Sequence, residues 1–255
     1  VKKLAILAVL ASTPAFAQTP DAFTSAQAQT KSGDVGTRRN GADALAKIRR
    51  PESGAILRAL LASDPDAGVR QQAATSLGLL GDAGNALALI AGLKDVSAPT
   101  RFACVRSLGA LRSPDATKPL SALLGDADAS MRRTAGAALA HLEDPAAAGA
   151  LKGALTDADE GVRLEAAAGL ARLGDASASQ VALDGLKSKD ASARSRAASV
   201  AALAGDENAL APLDAAYAAE KNKSAKAAID EARTVLRQHL ARKKTAKPAP
   251  AAKAQ

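Results

Sequence analysis

Leucine returns at fixed intervals along the middle of this chain. Leu77, Leu108, Leu139 and Leu170 form one column and Leu80, Leu111, Leu142 and Leu173 a second, each with a period of 31 residues. A small side chain keeps the same spacing at Ala73, Cys104, Ala135 and Ala166. Within one period these columns lie four and then three residues apart. That is a single stripe of a 3.6-residue helix, not the alternation of a strand. Two polar columns share the period: Asp64, Asp95, Asp126 and Asp157, and six residues later Arg70, Arg101, Arg132 and Arg163. Self-similarity of this length in five columns predicts tandem units, each burying its apolar face against the next. The expected fold is all-α, a right-handed α-solenoid of stacked antiparallel helix pairs.

Each unit divides into two predicted helices. The second follows the Asp cluster, because aspartate at a helix start accepts orphan backbone N–H groups and suits the positive end of the helix dipole. Gly81-Asp82 and Gly174-Asp175 supply the turn chemistry that ends two of these helices. The shorter first helices are predicted over 86–93, 118–124, 147–155 and 179–186, with 56–61 one residue out of phase. Residues 43–49 resemble a second helix without its partner and read as an N-terminal cap. After Asp206 the register breaks, and 210–219 and 225–240 read as a terminal pair.

The ends differ from the repeats. Lys2 and Lys3, the apolar run 4–10 and the small-x-small triplet Ala15-Phe16-Ala17 have the order of a secretory leader. The expected organisation is a signal peptide over 1–17, a flexible segment over 18–40, the solenoid with its caps over 41–241, and a disordered basic tail over 242–255. A periplasmic or secreted location follows as an expectation. The formal charge of +8 sits at the ends, since 64–206 holds 15 basic and 17 acidic residues. The tail carries five bases and no acid, which suits either a solubilising terminus or contact with an anionic surface. With one cysteine, Cys104, no internal disulfide forms, so packing alone must stabilise the array.

The pattern D-x-D-x-x-V-R-x-x-A-x-x-x-L-x-x-L-G-D, met in full at 64–82 and 157–175, resembles the HEAT-repeat family in its short bacterial, PBS-lyase-like form. The resemblance covers about 43–206. It implies a superhelical array and structural roles for the Asp and Arg columns. Members of the family mostly resemble scaffolds and protein-binding platforms, and relatives include phycobilin lyases.

Little in the sequence points to a reaction centre. The two histidines, His141 and His239, lie almost a hundred residues apart, and one cysteine completes no zinc set. Most carboxylates fall at helix starts, where capping explains them. Cys104 sits in the small-residue column and reads as a buried, inert side chain. No catalytic, cofactor-binding or metal-binding residue is assigned, and no cofactor is expected. The expected function is a non-enzymatic protein-interaction or scaffold module of the bacterial cell envelope, gripping a protein or peptide through its second helices. Two alternatives stay open: an envelope structural protein using the basic tail, and a lyase or other enzyme of the HEAT-like family. Nucleic acid is not an expected partner, because the core charge is balanced and stacking aromatics are scarce; a membrane-spanning role is not expected either. Variable columns on the second helices nominate Phe102, Arg106, Arg133, His141 and Arg172 as partner-binding residues. The recurring Asp64/Arg70, Asp95/Arg101, Asp126/Arg132 and Asp157/Arg163 pairs are assigned a structural ladder, because a rigid guanidinium fork holds a carboxylate and a turn at once.

Overall fold

The computed structural model describes residues 21–245. The predicted leader lies outside the described residues, as does the tail beyond Thr245. Among the described residues, fourteen α-helices form seven antiparallel pairs: α1 (Ala22–Gln29) with α2 (Val35–Ile48), α3 (Pro51–Ser63) with α4 (Ala67–Leu80), and α5 (Ala86–Gly92) with α6 (Ala98–Leu111). They continue with α7 (Thr117–Ala122) and α8 (Ala129–Leu142), then α9 (Ala148–Ala154) and α10 (Glu160–Arg172). The last pairs are α11 (Ala178–Gly185) with α12 (Ala191–Ala204), and α13 (Leu210–Ala219) with α14 (Lys223–Thr245). The second helices touch in succession from α2 to α14, and the first helices pack on their outer side. The array is the all-helical, right-handed superhelix of stacked pairs that the 31-residue period predicts.

Two expectations near the N-terminus meet a different picture. Residues 43–48 belong to a longer helix, α2, which Arg49 caps and which packs against its own first helix α1. The segment 18–40, read from the sequence as flexible, carries α1 and the first turns of α2 from Ala22 onward. The repeats therefore begin one pair earlier than the leucine columns indicate. Gly41 marks the reason for their silence there: a Cβ at this position would stand 2.8 Å from the Thr30 backbone nitrogen. Close approach of two helices replaces side-chain interlocking in this pair.

The two aspartates of each D-x-D motif divide the labour. The second caps the helix: Asp66 accepts from the Val69 N–H at 3.0 Å, and Asp159 from the Val162 N–H at 2.9 Å. The first braces the turn: Asp64 accepts from the Asp66 N–H at 2.9 Å, and Asp95, whose repeat carries Ser97 in the second place, accepts from the Ser97 N–H at 2.8 Å. Its carboxylate also receives an arginine from the preceding pair. Arg70 donates Nε and Nη2 to Asp95 at 2.7 and 3.0 Å, while its Nη1 reaches the carbonyl of Asp64 at 2.9 Å. Arg132 repeats this with Asp157, at 2.8 and 2.9 Å, and with the carbonyl of Asp126 at 2.9 Å. Each fork thus ties the turn of its own repeat to the carboxylate of the next.

The ladder runs further than the four expected pairs, and it is interrupted. Arg38 clamps Asp64, and Arg194 clamps Glu220. Arg101 and Arg163 keep their main-chain bonds, to the carbonyls of Asp95 and Asp157, but neither holds a carboxylate of the next repeat. For Arg163 the cause is legible, because Ser188 stands where the column calls for aspartate. At the level of Arg101 the approach to Asp126 is a short 3₁₀ turn, Leu123–Gly125.

The first leucine column is fully buried, with Leu77, Leu108 and Leu170 at 0% exposure and Leu139 at 1%. Burial of a leucine contributes roughly 1.5–3 kcal/mol. The buried face is wider than the leucine stripe, because every inner helix has a neighbour on each side. Ser107 lies in that lateral seam and donates its hydroxyl to the carbonyl of Ala74 at 2.9 Å. Cys104 is buried at 0% exposure, and burial pushes its thiol up to about 12, so it stays protonated. At the C-terminal end α14 closes the stack. Asp214 pairs with Arg233 and Arg237, and Tyr217 lies under Lys226 and Arg233 at 4.8 and 4.2 Å. These contacts fasten α14 to α13.

Two outcomes follow from the ladder. Arg132→Ala removes a carboxylate clamp and two main-chain bonds, whereas Arg101→Ala removes main-chain bonds only. Thermal melting followed by circular dichroism should show the Arg132 variant melting lower than the Arg101 variant, by about 5 °C; equal midpoints would contradict the clamp. The second outcome concerns acid. Bonds from Arg70 and Arg132 hold Asp95 and Asp157 below the usual carboxylate range. The bond from Arg194 lowers Glu220 to about 2 from an ordinary 4.5. A lowered folded-state value means that the ionised form favours the fold. The contribution is complete above pH 4.5 and drains away as the pH falls toward 2. Melting midpoints should drop across that window, and more shallowly in Arg194→Met.

Candidate partner-binding cavity

On the face formed by the second helices, α6, α8 and α10 line an open cavity of about 700 Å³. Small side chains open it: Gly109 and Ala110 from α6, Ala137 and Ala138 from α8. Gly109 is required by the close approach of the two helices, because a Cβ there would stand 2.9 Å from the Cα of Ala138. The cavity spans the junction between α6 and α8, one of the two that lack a carboxylate clamp.

Three guanidiniums and an imidazole from these helices line this opening. Arg106 enters from α6, Arg133 and His141 from α8, and Arg172 from the end of α10, all on the exposed side of their helices. Four of the five residues nominated from the variable columns therefore meet in one place. Phe102 does not join them. It lies a turn earlier on α6, half-buried against the core.

The residues that sequence reasoning passed over are Arg112, Glu143 and Glu165. Arg112 pairs with Glu143 at 2.6 Å and donates Nε to the carbonyl of His141 at 2.8 Å. Arg172 reaches the same carboxylate at 3.3 Å, so Glu143 serves two guanidiniums. Glu165 is engaged by Arg196. Both acids of the cavity are thus already occupied, while Arg106 and Arg133 have no acidic partner among the described residues. A net positive field from two unpaired guanidiniums favours a carboxylate or phosphate.

Arg112 and Glu143 share a second property. Each closes a second helix in the left-handed conformation, at φ 52° and 54°. The same column holds Gly81, Gly174 and Gly205 at φ 71°, 73° and 65°. Glycine adopts this region without strain, and other residues do so at a cost. The departure from glycine at 112 and 143 was the available signal in the sequence, because both positions fall in the L-G-D column. Among the described residues no group of three or more His, Cys, Asp or Glu is arranged to hold a metal ion, and no helix is long and apolar enough to cross a membrane.

A stack of antiparallel helical pairs at a fixed period defines the class of helical-repeat proteins. The family described as HEAT repeats matches residues 2–78, 23–95 and 85–168, and the chain belongs to that family. The first of these matches begins within the stretch read as a leader. No curated protein matches the chain significantly. Solved structures share the fold. One is the complex of CpcE and CpcF of phycocyanin lyase from Nostoc sp. PCC7120, with a TM-score of 0.61 and 20% identity, covering 90% of this chain and all of that one. YibA of Escherichia coli gives a TM-score of 0.58 at 22% identity, covering 86% of this chain and 82% of its own. An archaeal HEAT-like repeat protein from Thermococcus onnurineus NA1 gives 0.57 at 15% identity, covering 87% and 99%. At these identities the likeness is one of fold.

The first of these relatives corrects the expectation of a non-enzymatic scaffold. An enzyme complex is built on this fold and is matched along the whole length of one of its chains. The exclusion of enzymatic activity therefore falls. The physical reason is that the array fixes only the backbone and its buried columns, whereas chemistry resides in side chains carried on the variable surface.

The strained cap generates a test. Glu143→Gly replaces a left-handed glutamate by the residue its column uses elsewhere. Its melting midpoint should rise, by about 1 kcal/mol of added stability against a small loss from two exposed ion pairs. A midpoint below wild type would show that the ion pairs, not the backbone, dominate at this cap.

Proposed function

We propose that this chain is one subunit of a two-protein assembly with lyase-type activity, and that the cavity between α6, α8 and α10 is where the second protein docks. The observation that carries the reading is the cavity itself, with Arg106 and Arg133 unpaired at its wall. The phycocyanin lyase supports the two-protein form, since that enzyme is a complex of two chains. Within this chain, Cys104 offers no nucleophile, being buried and protonated. His141 is the one imidazole lining the cavity, and imidazole is the side chain most often used to move protons in catalysis. The reaction centre is accordingly assigned to the interface of the two proteins. A periplasmic or secreted location is part of the proposal and rests on the leader-like order of residues 1–17 alone.

Photo-crosslinking from positions 102 and 133 in cells, followed by identification and purification of the captured protein, tests the docking site. Position 133, inside the cavity, should capture a second protein more strongly than position 102 on its flank. The purified pair should form a 1:1 complex that Ala110→Trp abolishes by filling the cavity mouth. No capture at either position, or a complex indifferent to Ala110→Trp, would overturn the assignment.

A further inference from the structure

The carboxylate clamps are not spread evenly along the array. Among the described residues six seams join successive second helices. Four are clamped: Arg38 to Asp64, Arg70 to Asp95, Arg132 to Asp157 and Arg194 to Glu220. The two left open are α6–α8, at Arg101, and α10–α12, at Arg163. Each open seam also carries a cavity: the one walled by Arg106 and Arg133 at the first, and another of about 350 Å³ between α10 and α12. At the second seam the buried Nε of Arg196 has no hydrogen-bond partner, so that contact is incompletely satisfied.

Each open seam has its own cause in the sequence. Gly92 and Gly185 end first helices that press on the small column of the second helices. A Cβ at Gly92 would stand 2.5 Å from the Cys104 Sγ, and one at Gly185 2.8 Å from the Ala197 Cβ. The same column holds Ala154 and, at α7, Leu123. A leucine does not fit so close an approach. There α7 stops at Ala122, and the 3₁₀ turn that follows leaves Asp126 out of reach of Arg101. Leu61 shares the column, but α3 runs one residue out of phase and stays α-helical up to Asp64, whose N–H donates to the Leu60 carbonyl at 3.0 Å. At the second seam two departures meet. Ser188 replaces the aspartate of its column, and its hydroxyl donates to Glu160 at 2.8 Å. Glu160 itself stands where Ala67, Ala98, Ala129 and Ala191 stand in other repeats. One bond thus takes the place of a two-pronged fork.

We infer that the array is three stiff blocks, α1–α6, α7–α10 and α11–α14, which swing against one another at these two seams and open on the turn side. The remaining braces fix the pivots. Arg112 ties the C-terminal ends of α6 and α8 through Glu143 and the His141 carbonyl, at 2.6 and 2.8 Å. Arg196 reaches Glu165 midway along α10 and α12. Both α6 and α8 have 14 residues. Such a helix spans about 21 Å, so a tilt of about 10° about its C-terminal brace moves the turn end by roughly 4 Å. The cavity lies across the first pivot, and its width follows the swing. Arg133, near the turn end of α8, travels further than His141 beside the brace. The motion belongs to the array itself and stands whatever occupies the cavity.

Pairs of nitroxide labels on exposed turn residues measure the seams by pulsed electron paramagnetic resonance on the full chain. The background is Cys104→Ala, the residue its column carries elsewhere. Gly33→Cys/Val96→Cys spans two clamped seams. Val96→Cys/Ala158→Cys spans the open seam at Arg101 and a clamped one, and Ala127→Cys/Lys189→Cys a clamped seam and the open one at Arg163. Each pair lies two helix steps apart, about 20 Å. The first distance distribution should be narrow and the other two broader by roughly 4 Å, the swing of the turn end. Leu123→Ala should narrow the second distribution alone. Glu160→Ala/Ser188→Asp restores both column residues and should narrow the third alone. Arg70→Met, which opens a clamped seam, should broaden the first. Each variant is first shown to keep the wild-type circular dichroism spectrum. Equal widths in all three pairs would overturn the inference. So would a restoring variant that leaves its own seam unchanged, or one that narrows every pair alike, which would mark a general gain in stability rather than a hinge.

Discussion

Contact between successive second helices carries this molecule. No pair can cover its own leucines, so each inner helix is stable only with a neighbour on both sides. Leu77, Leu108, Leu139 and Leu170 are buried to within 1% because the next repeat lies over them. With only three phenylalanines, one tyrosine and no tryptophan in the chain, there is no large aromatic core to substitute for this stacking. Alanine and glycine do the complementary work, letting backbones approach where leucine does not reach.

The arginine forks give that stacking a register. A leucine seam alone tolerates sliding, since one apolar surface resembles the next. A guanidinium that must meet both its own turn and the following carboxylate tolerates much less. The clamps at Arg70 and Arg132 alternate with unclamped levels at Arg101 and Arg163. Other ion pairs join the unclamped levels: Arg112 with Glu143 between α6 and α8, and Arg196 with Glu165 between α10 and α12. Both of these involve residues of the cavity walls. The same repeats that relax the ladder thus carry the surface that differs most from the repeat pattern.

That divergence is how one fold serves unrelated tasks. Buried columns are held by packing and turn chemistry, and the exposed columns are free to vary. Here the free columns concentrate arginine, histidine and small residues at α6, α8 and α10. An enzyme complex and HEAT-like proteins of other kinds share the backbone with this chain, and the backbone therefore does not decide between binding and chemistry.

The amino-acid order determined the period, the two-helix unit and the leucine stripe, because these are local or strictly periodic and need no knowledge of neighbours. It also placed Arg106, Arg133, His141 and Arg172 on variable columns of the inner helices. Only the tertiary structure decided which side chains meet. Glu220 replaces aspartate as the partner of Arg194 after the register has broken, and Glu143 is shared by arginines from two other helices. Phe102 was left outside the cavity because its ring packs inward on the core. The physical reason is the same in each case: a column specifies the face of a helix, while an ion pair or a cavity depends on distances between helices that one period of sequence does not contain.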